Sequence, residues 1–186
     1  MSQFEYVSVA IALVSALAVG RLLAGFSPAL AESRRYWLHI AWLVALLVVC
    51  VTLWWGLWRM RQISWTPIRF FWVLSMPGLL FVQAAVLIGD EPARVESFRV
   101  HYFDRRIPFF SVLLASAVVL GFSPWVFGVV PWLAPAPFHS IAAVLGGLSV
   151  AGLAFKSPAV HAILVAIALL AAAASLVVSP PITPAA

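Results

Sequence analysis

"WLHIAWLVALLVVCVTLWWGLW", Trp37–Trp58, runs for 22 residues without a charged side chain. A helix needs about 20 apolar residues to cross a hydrocarbon layer about 30 Å thick. The run shows no strict alternation of apolar and polar residues, so it reads as a helix and not as a barrel strand. Arg34 and Arg35 stand just before it and Trp54, Trp55 and Trp58 close it. A guanidinium anchor at one end and indoles at the other is how a membrane span meets its two interfaces.

Working outward, five further stretches qualify, near Tyr6–Phe26, Pro67–Gly89, Ile107–Val130, Pro137–Phe155 and Pro158–Val178. The expected fold class is all-α, a polytopic membrane bundle of six transmembrane helices forming a single domain over residues 1–186. Composition agrees. The chain is 65% hydrophobic and 9% charged, with mean hydropathy +1.09, whereas a soluble domain is about half apolar and a quarter charged. The first run carries Glu5 and no positive residue before it, so it is expected to be a retained span and not a cleaved leader. Pro67, Pro108, Pro137 and Pro158 stand where helices start. Pro77-Gly78 and Pro124 fall inside spans, which predicts a kink in the third span and an early end to the fourth, with the stretch after Pro124 lying along the interface.

Charge is concentrated. Of 17 charged residues, eight lie between Asp90 and Arg106: Asp90, Glu91, Arg94, Glu96, Arg99, Asp104, Arg105 and Arg106. This segment, residues 90–106, connects the third and fourth spans. Val95, Phe98 and Tyr102 fall on one helical face, and Asp90 and Arg94 form an i,i+4 pair, so the segment predicts an amphipathic interfacial helix. Arg34, Arg35, Arg94, Arg99, Arg105, Arg106, Lys156 and, if it snorkels, Arg21 fall on one side of the membrane; Arg59, Arg61 and Arg69 fall on the other. The positive-inside rule then makes the first side cytoplasmic and both termini periplasmic, in a bacterial inner membrane. The same basic residues are expected to serve topology and lipid head groups, not nucleic acid.

Helices one and five carry small residues every fourth position: Ala12, Ala16 and Gly20, and Ala143, Gly147 and Ala151. Such stripes let helices approach closely. The expectation is tight packing of the first, fifth and sixth spans, with a homo-oligomer or membrane partner subunit as the alternative use of those faces.

No Asp or Glu falls within a span, which counts against ion-coupled transport. The single cysteine, Cys50, lies mid-span and reads as a core residue. There is no phosphate loop, nucleophile elbow or His-x-x-x-His pair, so no catalytic residue is assigned. Polar residues instead gather near the cytoplasmic ends of spans: Arg21, His39, Gln83, His101, Asp104 and His161. Their convergence would make a site for a quinone, an anionic ligand, haem or a metal ion, with His39, His101 and His161 as the available metal ligands. Without it, the imidazoles sit at head-group depth and Arg21 snorkels. Arg21 is the most informative of them, because a buried guanidinium must find a partner such as Asp104 or a helix-end carbonyl.

"FEYVSV" (4–9), "RRYWLHIAW" (34–42) and "HYFDRR" (101–106) resemble segments of small polytopic bacterial membrane proteins. The resemblance implies a multi-pass bundle and carries no activity with it. The expected role is a non-enzymatic binding or accessory membrane protein with a basic, histidine-containing cytoplasmic face. The alternatives are a haem-, metal- or quinone-binding redox protein using His39, His101 and His161, and a passive small-solute channel.

Overall fold

The computed structural model describes residues 2–128 and 136–178. Among them the chain forms seven α-helices and no strand: α1 (Gln3–Ala29), α2 (Trp37–Leu57), α3 (Pro67–Ile88), α4 (Phe98–Asp104), α5 (Arg106–Val126), α6 (Ala136–Ala154) and α7 (Pro158–Val178). Five helices, α1, α2, α3, α5 and α7, are long and apolar enough to cross a membrane. In α6 the apolar stretch Ser140–Ala154 is shorter.

Local chemistry sets the helix ends. Ser2 and Glu5 make a reciprocal capping box at the start of α1, a Ser-x-x-Glu signal present in the sequence. Thr66 caps α3, with Pro67 in its first turn. α3 runs through Pro77 and stops at Gly89, whose φ of +77° suits a residue without Cβ. α5 passes Pro124 by two residues before ending. The rest of the expected interfacial stretch, residues 129–133, lies outside the described residues.

The long helices pack as a closed ring in the order α1, α3, α5, α6, α7, α2 and back to α1. Contacts between helix ends show that successive long helices run in opposite directions. The ends of α1, α3 and α6 and the starts of α2, α5 and α7 therefore share one end of the bundle. The 3₁₀ turn Pro92–Arg94 and α4 lie there as well. The opposite end carries exposed Trp54, Trp55, Trp58 and Trp125.

This ring corrects part of the packing expected from the small-residue stripes: α6 and α7 do pack together, but α1 packs elsewhere. Ala16, Gly20, Ala143 and Gly147 face outward, and Ala12 and Ala151 are half-buried. A Cβ added at Gly20 or Gly147 would meet nothing within 4 Å. α1 packs chiefly on α2 and α3, and α6 on α5 and α7. Two other glycines permit the close contacts. At Gly25 a Cβ would lie 2.7 Å from Ile88, and at Gly152 it would run into the Phe110 ring. The period-four pattern marked a possible face, but bulky partners on α3 and α5 selected a different one.

Residues 90–106 are not one continuous helix. The 3₁₀ turn ends at Arg94, Val95 is extended, and α4 spans seven residues. Phe98 and Tyr102 are buried within the protein. Their apolar face therefore plugs the end of the bundle. Beneath them Trp42 meets Phe109 and Phe110 edge-on, at ring separations of 5.0 and 5.6 Å. Cys50 is a buried core residue.

Candidate functional site

A helix ends with carbonyls that have no partner within it. At the basic end of this bundle two helix ends, those of α3 and α6, meet the same solution: one arginine and one histidine from other helices. At α6, Arg106 donates through Nη1 to the carbonyls of Gly152 and Phe155. His161 Nε2 donates to the Phe155 carbonyl at 3.0 Å. Because a carbonyl only accepts, the proton of neutral His161 sits on Nε2 and Nδ1 is the acceptor. Tyr102 donates its hydroxyl to that Nδ1 at 2.8 Å and accepts from Trp42 Nε1 at 3.0 Å. Burial pushes the Tyr102 phenol up from its ordinary value, keeping it protonated as a donor. Trp42, Tyr102, His161 and Phe155 thus form a one-directional chain that joins α2, α4, α7 and the end of α6, with both imidazole nitrogens used.

At α3, Arg21 donates to the Gly89 carbonyl and lies 3.8 Å from the Asp90 carboxylate. His101 Nε2 donates to the Leu87 carbonyl at 3.0 Å. The His101 ring lies directly over Gly89, where a Cβ would come within 2.9 Å of Cε1. Burial holds His101 below its ordinary value; the Leu87 bond opposes that shift, Arg105 adds to it, and Asp104 opposes it. A neutral His101 with its proton on Nε2 leaves a lone pair on Nδ1. His101 lines a cleft of about 290 Å³, whose wall also includes Gly89, Asp90, Glu91, Arg94 and Arg105.

Behind His101, and farther into the bundle, lies His39. Its ring is 4.6 Å from Phe98 and 6.1 Å from His101. His39 is wholly buried, and neither of its ring nitrogens has a hydrogen-bond partner. Gln83, one turn before Leu87 on α3, is also buried, with its amide nitrogen unpartnered. Buried polar groups without partners are rare, and each costs about 1–3 kcal/mol.

The polar residues singled out in the sequence therefore divide into two groups. His39, His101 and Arg21 gather at the end of α3, with Gln83 a turn deeper. His161 belongs to the other helix end. Asp104 is exposed and does not pair with Arg21, whose partner is a helix-end carbonyl. Among the described residues no three His, Cys, Asp or Glu side chains converge as a metal-binding group. His39, His101 and His161 are not one ligand set, because His161 is occupied by Tyr102 and Phe155.

The basic residues divide as well. Arg106 was expected at the lipid head groups, but it is buried and caps α6. Arg34 donates to the carbonyls of Ala93 and Val95, at 2.7 and 3.2 Å, and so fixes the 3₁₀ turn. Arg94 pairs with Glu91 at 2.6 Å on the surface. Arg35, Arg99, Arg105 and Lys156 are exposed. Sequence reasoning missed Tyr102 as a polar hub and Gly89 as the seat of His101. Gly89 was legible as a glycine ending an apolar run. Nothing in the sequence distinguished Arg106 from Arg105.

No protein-family model, curated protein or solved structure matches the chain.

Proposed function

We propose that this chain is a non-enzymatic binding protein of a bacterial inner membrane, crossing it six times with both termini periplasmic. Its ligand is the phosphate-bearing head of an amphiphile, taken up on the basic cytoplasmic face. The cleft beside His101 carries this reading: it is an open, charged recess at a helix end, with one unshared imidazole nitrogen and the exposed guanidinium of Arg105 on its wall. Side chains at head-group depth with fixed polarity can select a head group, whereas flexible surface arginines only attract charge. The uneven basic residues support the orientation, and α6 supplies the sixth crossing. An alkaline phosphatase reporter fused after residue 186 is expected to be active; an inactive fusion reverses the orientation. Lipid bound to the purified protein is expected to fall several-fold in Arg105→Gln, and equal retention in wild type and variant removes the cleft from the reading.

A second reading is favoured by one observation, the two unpartnered nitrogens of His39. They support a polar ligand, such as a quinone, deeper than the cleft. An absorption spectrum and elemental analysis of protein from its native membrane, repeated with His39→Leu, test it. A chromophore lost in the variant establishes a redox cofactor.

A further inference from the structure

We propose that the cleft beside His101 selects a phosphoethanolamine head group, whose ammonium is held by Asp90 and the Nδ1 lone pair of His101 and whose phosphate is held by Arg105. This rests on the lipid-binding reading above and names the head group. The polarity of His101 is the starting point. Its Nε2 proton is committed to the Leu87 carbonyl, so the unshared nitrogen of this cleft-lining ring is Nδ1, whose lone pair takes a donor from a ligand. A phosphate oxygen offers no such donor, but a primary ammonium offers three.

The charges on the wall point the same way. Glu91 and Arg94 are paired with each other at 2.6 Å, so they add little net charge. Asp90 is almost fully exposed, and its carboxylate is 3.8 Å from Arg21 Nη2, beyond hydrogen-bond length. Arg21 is committed to the Gly89 carbonyl, which leaves the Asp90 carboxylate free to accept. Among the described residues Arg105 is exposed and has no ion pair. The cleft therefore offers an acceptor side, Asp90 and His101, and a cationic side, Arg105. A phosphoglycerol head satisfies the second but brings only neutral hydroxyl donors, and no cation, to the first. A choline head carries the right charge but has no N–H to give.

That last difference supplies the test. The full-length protein, purified in detergent, is titrated with phosphatidylethanolamine, phosphatidylcholine and phosphatidylglycerol of identical acyl chains, and bound lipid is counted by intact-protein mass spectrometry. Phosphatidylethanolamine is expected to be retained about tenfold more tightly than phosphatidylcholine, the scale of one hydrogen bond to a charged group. Asp90→Ala and His101→Phe each remove one acceptor and are each expected to lower that ratio several-fold. Asp90 is a surface residue, so its variant keeps the test valid if His101→Phe fails to fold. Arg105→Gln is expected to weaken both lipids alike and preserve the ratio. Displacement of the lipid by soluble phosphoethanolamine would identify the free head group as sufficient; failure to displace it would make the whole lipid the ligand, and both results keep the assignment. Equal retention of the ethanolamine and choline lipids, or of the ethanolamine and glycerol lipids, overturns the head-group assignment and leaves phospholipid binding standing. Retention that is indifferent to Arg105 overturns both.

Discussion

The ends of α3 and α6 are built from the same parts and finished differently. Each has its last carbonyls met by an arginine and a histidine from other helices. At α6 the arginine is buried, and Tyr102 fills the second imidazole nitrogen. At α3 the arginine is part-exposed, and His101, with its second nitrogen unshared, lines a cleft. The closed end spends its polar atoms on holding α2, α4, α6 and α7 together. The open end keeps one nitrogen unshared, and the unpartnered His39 lies behind it. Identical side-chain chemistry thus yields a structural clasp in one place and a candidate site in the other, and the deciding factor is whether a third group completes the histidine.

The largest expected effect is at the closed end. Arg106→Leu strands the Gly152 carbonyl, leaves Phe155 with His161 alone and removes two charge-assisted bonds, so thermal unfolding in detergent is expected to show a loss of about 3 kcal/mol. Arg105→Leu, one residue earlier and exposed, is expected to change stability by less than about 0.5 kcal/mol. Comparable losses in the two variants would break the distinction between them. Tyr102→Phe leaves the Trp42 indole and His161 Nδ1 without their shared partner and is expected to cost about 2–3 kcal/mol.

At the open end Gly89→Ala combines a strained positive φ with a clash against the His101 ring. A loss of about 1–2 kcal/mol in the same unfolding assay is expected. His101 also gives the open end a pH signature. Its value is lowered from 6.5 in the folded state, mainly by burial, so the unfolded chain binds the proton more readily. Stability is then complete above about pH 6.5 and falls as pH drops from there toward the folded value. The slope is expected to shrink in His101→Phe; an unchanged slope would assign acid sensitivity to another group.

The smallest effect has the opposite sign. Gln83→Met replaces an unpartnered buried amide with an apolar chain of similar size and is expected to raise stability by about 1 kcal/mol. His39→Leu is expected to do the same. A fall in melting temperature for His39→Leu would show that its nitrogens are engaged and would sharpen the contrast in favour of a deeper ligand.

Composition and run length alone determined that this chain is an apolar helical protein with several segments long enough to span a membrane. Burying so much hydrocarbon in a soluble fold of this size is not possible, and an uncharged run such as Trp37–Trp58 has few other uses. The sequence also placed His39, His101, Arg21 and Gln83 near the same ends of their helices, because depth follows from counting along a span. Which of them meet was decided by the tertiary structure. Azimuth around a helix depends on its neighbours, so the ring order turned Gly20 and Gly147 outward and Gly25 and Gly152 inward. The same ring sent Arg106 into the bundle and left Arg105 outside, although the two are adjacent and chemically identical. It also joined His161 to Tyr102 across 59 residues, closing one helix end, while His101 kept a nitrogen open at the other.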